Sequence, residues 1–244
     1  MVGTSTQSTR RMALGLGVAV GLGTLIGCGA VDSETKAEQA SPSPSEPAVT
    51  NPDEAVARLK AGAARFTSGG MIRPDQSLTY RTALAGGQHP FAAILSCADS
   101  RVPPELVFDQ GLGDLFVART AGQVLDKAVL GTLQYGIAEL KIPLLVVLGH
   151  EKCGAVKATL EAVEKKSAPG GNDIDALVTA IKPAVEEAEE AHSADVLDAA
   201  VRNNVANIAA DLTKKSILDK AVAAGSLQII GARYDLDAGT VEFL

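Results

Sequence analysis

Two cysteines and one histidine in the body of this chain stand where a metal ion could be held. Cys97 follows the apolar run Phe91 to Ser96, and His150 ends the run Leu144 to Gly149, with Cys153 three residues further on. Short continuous apolar runs of this kind have the length of strands buried on both faces. In an open parallel sheet, ligands bind in the crevice outside the carboxyl ends of the strands. The spacing therefore predicts that two thiols and an imidazole converge in such a crevice. A sulfur, nitrogen, sulfur set suits zinc, and three protein ligands leave a fourth position for water, as in a catalytic site. Asp99 and Arg101, just beyond Cys97, are a carboxylate and a guanidinium spaced to pair beside that metal. Two other readings of the same residues stay open: a Cys97 to Cys153 disulfide, and a closed structural site with Asp99 as permanent fourth ligand. His89, in a loop, and His192, in the acidic stretch Glu186 to Asp195, are not candidate ligands.

The elements that must position these residues follow from the rest of the pattern. Leu115 to Ala118 and Leu227 to Ile230 are two more apolar runs of strand length. Helix-length segments lie between them: Leu125 to Leu140, Ala155 to Lys165, Ile174 to Glu190 and Asp195 to Lys215. Asn51-Pro52-Asp53-Glu54 starts an earlier helix with a capping Asn, a first-turn Pro and acids at the positive end of the dipole, and Gly69-Gly70 stops it. A loop follows. The turn after Tyr234 and the final Thr240-Val241-Glu242-Phe243-Leu244 give one more strand. The expected fold class is α/β, in three layers. Its core is a mainly parallel four-stranded sheet with an added antiparallel edge strand, helices on both faces and an N-terminal helical arm.

The first fifty residues read differently. Arg10-Arg11, the Gly-rich apolar stretch Met12 to Gly27, and Leu25-Ile26-Gly27-Cys28 resemble a bacterial lipoprotein signal, and the paired arginines also resemble a loose twin-arginine export signal. Residues 1–27 are thus expected to be a signal peptide. Residues 28–51 would be a lipidated Cys28 and a disordered Ser/Pro-rich tether, and residues 52–244 the folded domain. Sixteen glycine-interrupted apolar residues fall short of the ~20 that span a bilayer as a helix. The expected location is outside the cytoplasm, on the cell membrane through the lipid. Acidic side chains outnumber basic ones by 29 to 22 and there is no Trp, so the chain lacks the basic, aromatic surface that nucleic acid needs.

The pair Cys97-Ala98-Asp99-Ser100-Arg101 and Gly149-His150-Glu151-Lys152-Cys153-Gly154 resembles the β-class carbonic anhydrases. The resemblance extends from about Pro52 to Leu244. It implies an enzyme, a carbonate dehydratase. Such an enzyme holds one zinc ion per chain on Cys97, His150 and Cys153 and hydrates carbon dioxide reversibly to bicarbonate and a proton through zinc-bound hydroxide. It implies Asp99 and Arg101 as catalytic residues and Gln88, Phe116, Tyr135 and Gly154 as the substrate pocket. It further implies a homodimer or higher even oligomer, with the N-terminal helix laid on the partner, and no organic cofactor. The chain departs from the family's bicarbonate-inhibited branch, whose allosteric site uses a Trp. Alternatives are a non-catalytic zinc-binding or redox-switch lipoprotein, or a hydrolase of the same fold acting on carbonyl sulfide or carbon disulfide. A zinc store would need neither Asp99 nor Arg101.

Overall fold

A computed structural model describes residue 49, residues 51–168 and residues 170–244. The expected signal peptide, Cys28 and nearly all of the tether lie outside these residues.

Helix α1 (Pro52–Ser68) begins as its sequence dictates, with the Asn51 side chain accepting the Glu54 N–H at 2.9 Å, and ends on Gly69 in the left-handed conformation. Its apolar stripe, Ala55, Leu59 and Ala63, is buried against one face of the chain's own sheet. The helical arm expected at this position therefore lies on its own domain. Two ion pairs fix it there, Arg58 to Asp114 at 2.8 Å and Arg65 to Asp109 at 2.6 Å. At Gly62 a Cβ would collide with the Phe108 carbonyl, so only glycine lets α1 sit this close.

Two short helices interrupt what reads as loop, α2 (Leu78–Leu84) and α3 (Pro104–Val107). Their sequences gave no signal because α2 buries no residue and α3 has only four. Strands β1 (Ala92–Cys97), β2 (Leu115–Thr120), β3 (Leu144–His150) and β4 (Gln228–Tyr234) are parallel, and β5 (Val241–Phe243) is antiparallel to β4. The sheet order is β2-β1-β3-β4-β5. Each parallel strand runs past the apolar stretch that marks it: β2 and β3 end in Thr120 and His150, whose side chains meet polar partners, and β4 ends in Tyr234, whose ring is in the core while its carbonyl accepts the Glu151 N–H.

Helices α4 (Lys127–Glu139), α5 (Gly154–Glu164), α6 (Ile174–Glu190) and α7 (Val196–Leu212) follow the expected segments. The segment expected as one helix to Lys215 stops at Leu212, and α8 (Ser216–Ala223) restarts as a separate element that buries Leu218.

The strands alternate strictly between the two faces. Ala92, Ile94, Leu144, Val146 and Leu148 pack with α1 and α3. Ala93, Leu95, Leu145 and Val147 pack with Leu133, Val205 and Leu218 on the opposite side. Full burial of each such aliphatic side chain contributes about 1.5–3 kcal/mol relative to exposure. Helix α7 rides close over the sheet, because Gly149 and Gly231 leave room for Val205, whose methyls would lie 2.5 and 2.7 Å from a Cβ at those positions. From β1 the chain passes to β2 on one side, whereas β3 lies on the other. The carboxyl ends of β1 and β3 therefore flank the topological switch point.

Candidate metal centre

Cys97 is the last residue of β1, His150 the last of β3, and Cys153 immediately precedes α5. All three side chains are buried, and one ligand atom from each lies within 4.8 Å of the others. The two sulfurs are 3.9 Å apart. Two thiolates bound tetrahedrally at about 2.3 Å from one zinc stand roughly 3.8 Å apart, so the spacing fits that ion.

The histidine is oriented for the same purpose. Its Nδ1 lies 2.8 Å from the Glu151 carbonyl oxygen, which can only accept, so Nδ1 carries the proton and Nε2 presents its lone pair. That Nε2 is buried without a hydrogen-bond partner, a costly condition that a metal ion resolves. The thiols make the same demand. A hydrogen bond from Cys153 pushes Cys97 down to about 4, while the adjoining Cys97 sulfur and burial drive Cys153 up. Two buried thiols this close ionise together only with a cation between them.

Around the ligands runs a second set of contacts. The Gly122 N–H donates to Cys97 Sγ at 3.3 Å, from a backbone with φ of 64°, and the Asn204 side-chain amide holds the Gly122 carbonyl at 3.0 Å. Asp99 is gripped by Arg101 through Nε to Oδ1 at 3.0 Å, Nη2 to Oδ2 at 2.7 Å and the Arg101 N–H to Oδ1 at 2.9 Å. These hydrogen bonds hold the Asp99 carboxyl well below the usual carboxylate range. From β2, Arg119 donates to the carbonyl oxygens of Cys97 at 2.9 Å and Asp99 at 2.6 Å. Glu151 is anchored in turn: its N–H donates to Tyr234 O at 2.8 Å, and its Oε2 accepts the Leu236 N–H at 3.1 Å. Lys152 adds a 2.6 Å ion pair to Asp237.

The structure thus brings Cys97, His150, Cys153, Asp99 and Arg101 together, with Gly154 beside them at the start of α5. Gly154 is exposed, and a Cβ there would meet no atom within 4 Å. Gln88, Phe116 and Tyr135 are elsewhere. Phe116 pairs in register with Ala93, four residues and about 13 Å along the strand from Cys97. Its ring contacts that of Tyr135 at 6.3 Å between centroids, Tyr135 is 52% exposed, and Gln88 lies exposed in the loop before β1. Within one chain these three do not line the cluster. Arg119, Gly122, Asn204 and Glu151 were not picked out as site residues from the sequence. Gly122 and Glu151 work through their own main-chain groups, Arg119 and Asn204 use their side chains on main-chain carbonyls, and the one visible cue is an arginine directly after the apolar run Leu115 to Ala118.

The carbonic anhydrase family profile matches residues 92–241. Carbonic anhydrase 2 of Mycobacterium tuberculosis is 44% identical over 190 residues, which span 78% of this chain and 91% of that protein. Among solved structures, a β-carbonic anhydrase of Coccomyxa superposes with a TM-score of 0.59 at 27% identity, over 81% of this chain and 87% of that one. A tetrameric β-carbonic anhydrase of the ascomycete Sordaria macrospora gives a TM-score of 0.60 at 23% identity, over 79% and 95%. Profile, sequence similarity and superposition agree, and the chain belongs to the β-class carbonic anhydrase family.

Proposed function

We propose that zinc-dependent hydration of carbon dioxide to bicarbonate and a proton is divided among the residues of this crevice. Cys97, His150 and Cys153 hold one zinc ion per chain, which supplies the Lewis acidity that makes a water nucleophilic near neutral pH. Asp99 accepts a hydrogen bond from the attacking water and so fixes the direction of its lone pair. Arg101 keeps Asp99 ionised and in place. The open space beside Gly154 admits a small apolar substrate. The observation that carries this reading is the position of Asp99 Oδ2, 3.8 Å from the metal-directed Nε2 of His150 and held by Arg101. A stopped-flow assay of carbon dioxide hydration, combined with metal analysis, tests it. The wild type binds about one zinc per chain, and Cys97→Ser and Cys153→Ser lose both metal and activity. Wild-type protein stripped of metal that still hydrates carbon dioxide at full rate would refute it.

The chain works as a dimer or higher even oligomer in this proposal. The support is the exposed Tyr135 against Phe116, an aromatic surface too far from its own cluster to serve it, together with the tetrameric relative of the same fold. Gln88, Phe116 and Tyr135 then line the cleft of a second copy. Sedimentation at dilute concentration checks the assembly, and a stable monomer with full activity would exclude it.

The domain is also proposed to be exported and held on the membrane by lipid on Cys28, after removal of residues 1–27. Among the described residues no helix is long and apolar enough to cross a membrane. Cys28→Ala is expected to move the protein from the membrane fraction to a soluble or unprocessed form. Wild-type protein that keeps Met1 and fractionates with cytosol would count against this.

A further inference from the structure

We propose that Arg119 is the positioning residue that sets Cys97 and Asp99 at their working places, a role that rests on Cys97 as ligand and Asp99 as hydrogen-bond acceptor. The main-chain ladder between β1 and β2 ends with the Ala98 N–H donating to Thr120 O at 2.9 Å. Beyond that point Ala98 and Ser100 are exposed, and the turn meets the core again at Val102, whose N–H donates to the Asp99 carbonyl at 3.1 Å but leaves the Cys97 carbonyl untouched. The Asp99–Arg101 fork does not locate it either. Arg101 is two residues away on the same turn and its side chain is 53% exposed, so the pair travels with the segment it belongs to.

A reference to the fixed sheet is needed, and Arg119 supplies it. It stands on β2 opposite Ser96 in register, and its side chain is partly buried. Its Nε holds the Cys97 carbonyl and its Nη2 the Asp99 carbonyl, bracketing Ala98 on both sides. One rigid planar group therefore fixes the peptide that aims the Cys97 sulfur and the peptide that aims the Asp99 carboxylate. A lysine has the charge but not the fork, and cannot span both carbonyls in fixed geometry.

The test uses Arg119→Lys and Arg119→Met in the full chain, each alone and combined with Asp99→Asn, loaded with zinc or with cobalt(II). Both single variants are expected to remain folded by circular dichroism and to bind metal. The visible cobalt spectrum, which reports thiolate geometry, should change. kcat should fall by about 10- to 100-fold with KM nearly constant. In the Asp99→Asn background the further loss should shrink to less than about threefold, because residues acting as a unit are not additive. An unchanged cobalt spectrum, wild-type kcat in both variants, or full multiplicative loss beside Asp99→Asn would overturn the proposal. So would unfolding of both variants, which would make Arg119 a residue of the fold alone. If Asp99→Asn by itself is fully active, the assignment of Asp99 fails instead.

Discussion

The Asp99 carboxylate stops 3.8 Å from His150 Nε2, and the residue that holds it there is Arg101, 2.7 Å from the same oxygen. Removing the guanidinium leaves the ligands intact but frees the acid beside them. Arg101→Ala is therefore expected to keep its zinc while losing activity by about 10- to 100-fold, the size of effect seen when an outer partner of a metal site is lost. Metal analysis alongside stopped-flow hydration separates this from Cys97→Ser, which loses both.

Gly149 precedes the histidine ligand and lies under α7. A Cβ there would be 2.5 Å from Val205 Cγ2 and 3.4 Å from Val201 Cγ1, both on a packed helix. Gly149→Ala should cost about 1–3 kcal/mol of stability, the usual range for an overpacked core. Pairing it with Val205→Ala should recover part of that loss. Urea unfolding of the two single variants and the double variant measures the coupling.

Acid should weaken the fold at Asp109. Burial opposes its charge, yet Arg65 and the N–H groups of Ile72 and Arg73 together hold its carboxyl below the usual carboxylate range. A folded-state value depressed in this way stabilises the protein above the unfolded carboxylate value, and the contribution is lost as pH falls through the folded value. Asp198, held by Arg202 and Arg233 against the same opposing burial, behaves alike. Stability measured by denaturant unfolding should thus be steady from neutral pH to about 5 and decline below about 4. At neutral pH, Arg65→Met should cost about 1.5–3 kcal/mol, the worth of hydrogen bonds to a charged group.

What could be read from the sequence depended on whether a residue does its work with its side chain or through the main chain. Cys97, His150 and Cys153 are legible because each is a metal-binding type placed where an apolar run stops. Gly122 acts through a peptide N–H, which no residue type announces, and Arg119 acts on peptide carbonyls, its one cue being an arginine directly after an apolar run. The strands extend beyond their apolar runs, since pairing continues through polar residues and glycine that hydrophobicity does not mark: Thr120 in β2, Gly149 and His150 in β3, and Gly231 and Arg233 in β4. Helix α2 escaped because an amphipathic pattern exists only where a face is buried, and none of its residues is.

The ligand loop is tied to the last hairpin, through Glu151 to Tyr234 and Leu236 and through Lys152 to Asp237. The same hairpin closes with the Leu244 N–H on Gly231 O at 2.9 Å. For anyone engineering this protein, the β4–β5 hairpin is therefore a poor place for an insertion or a cut. A disturbance there reaches, through one loop, the carbonyl that decides which nitrogen of His150 carries the proton.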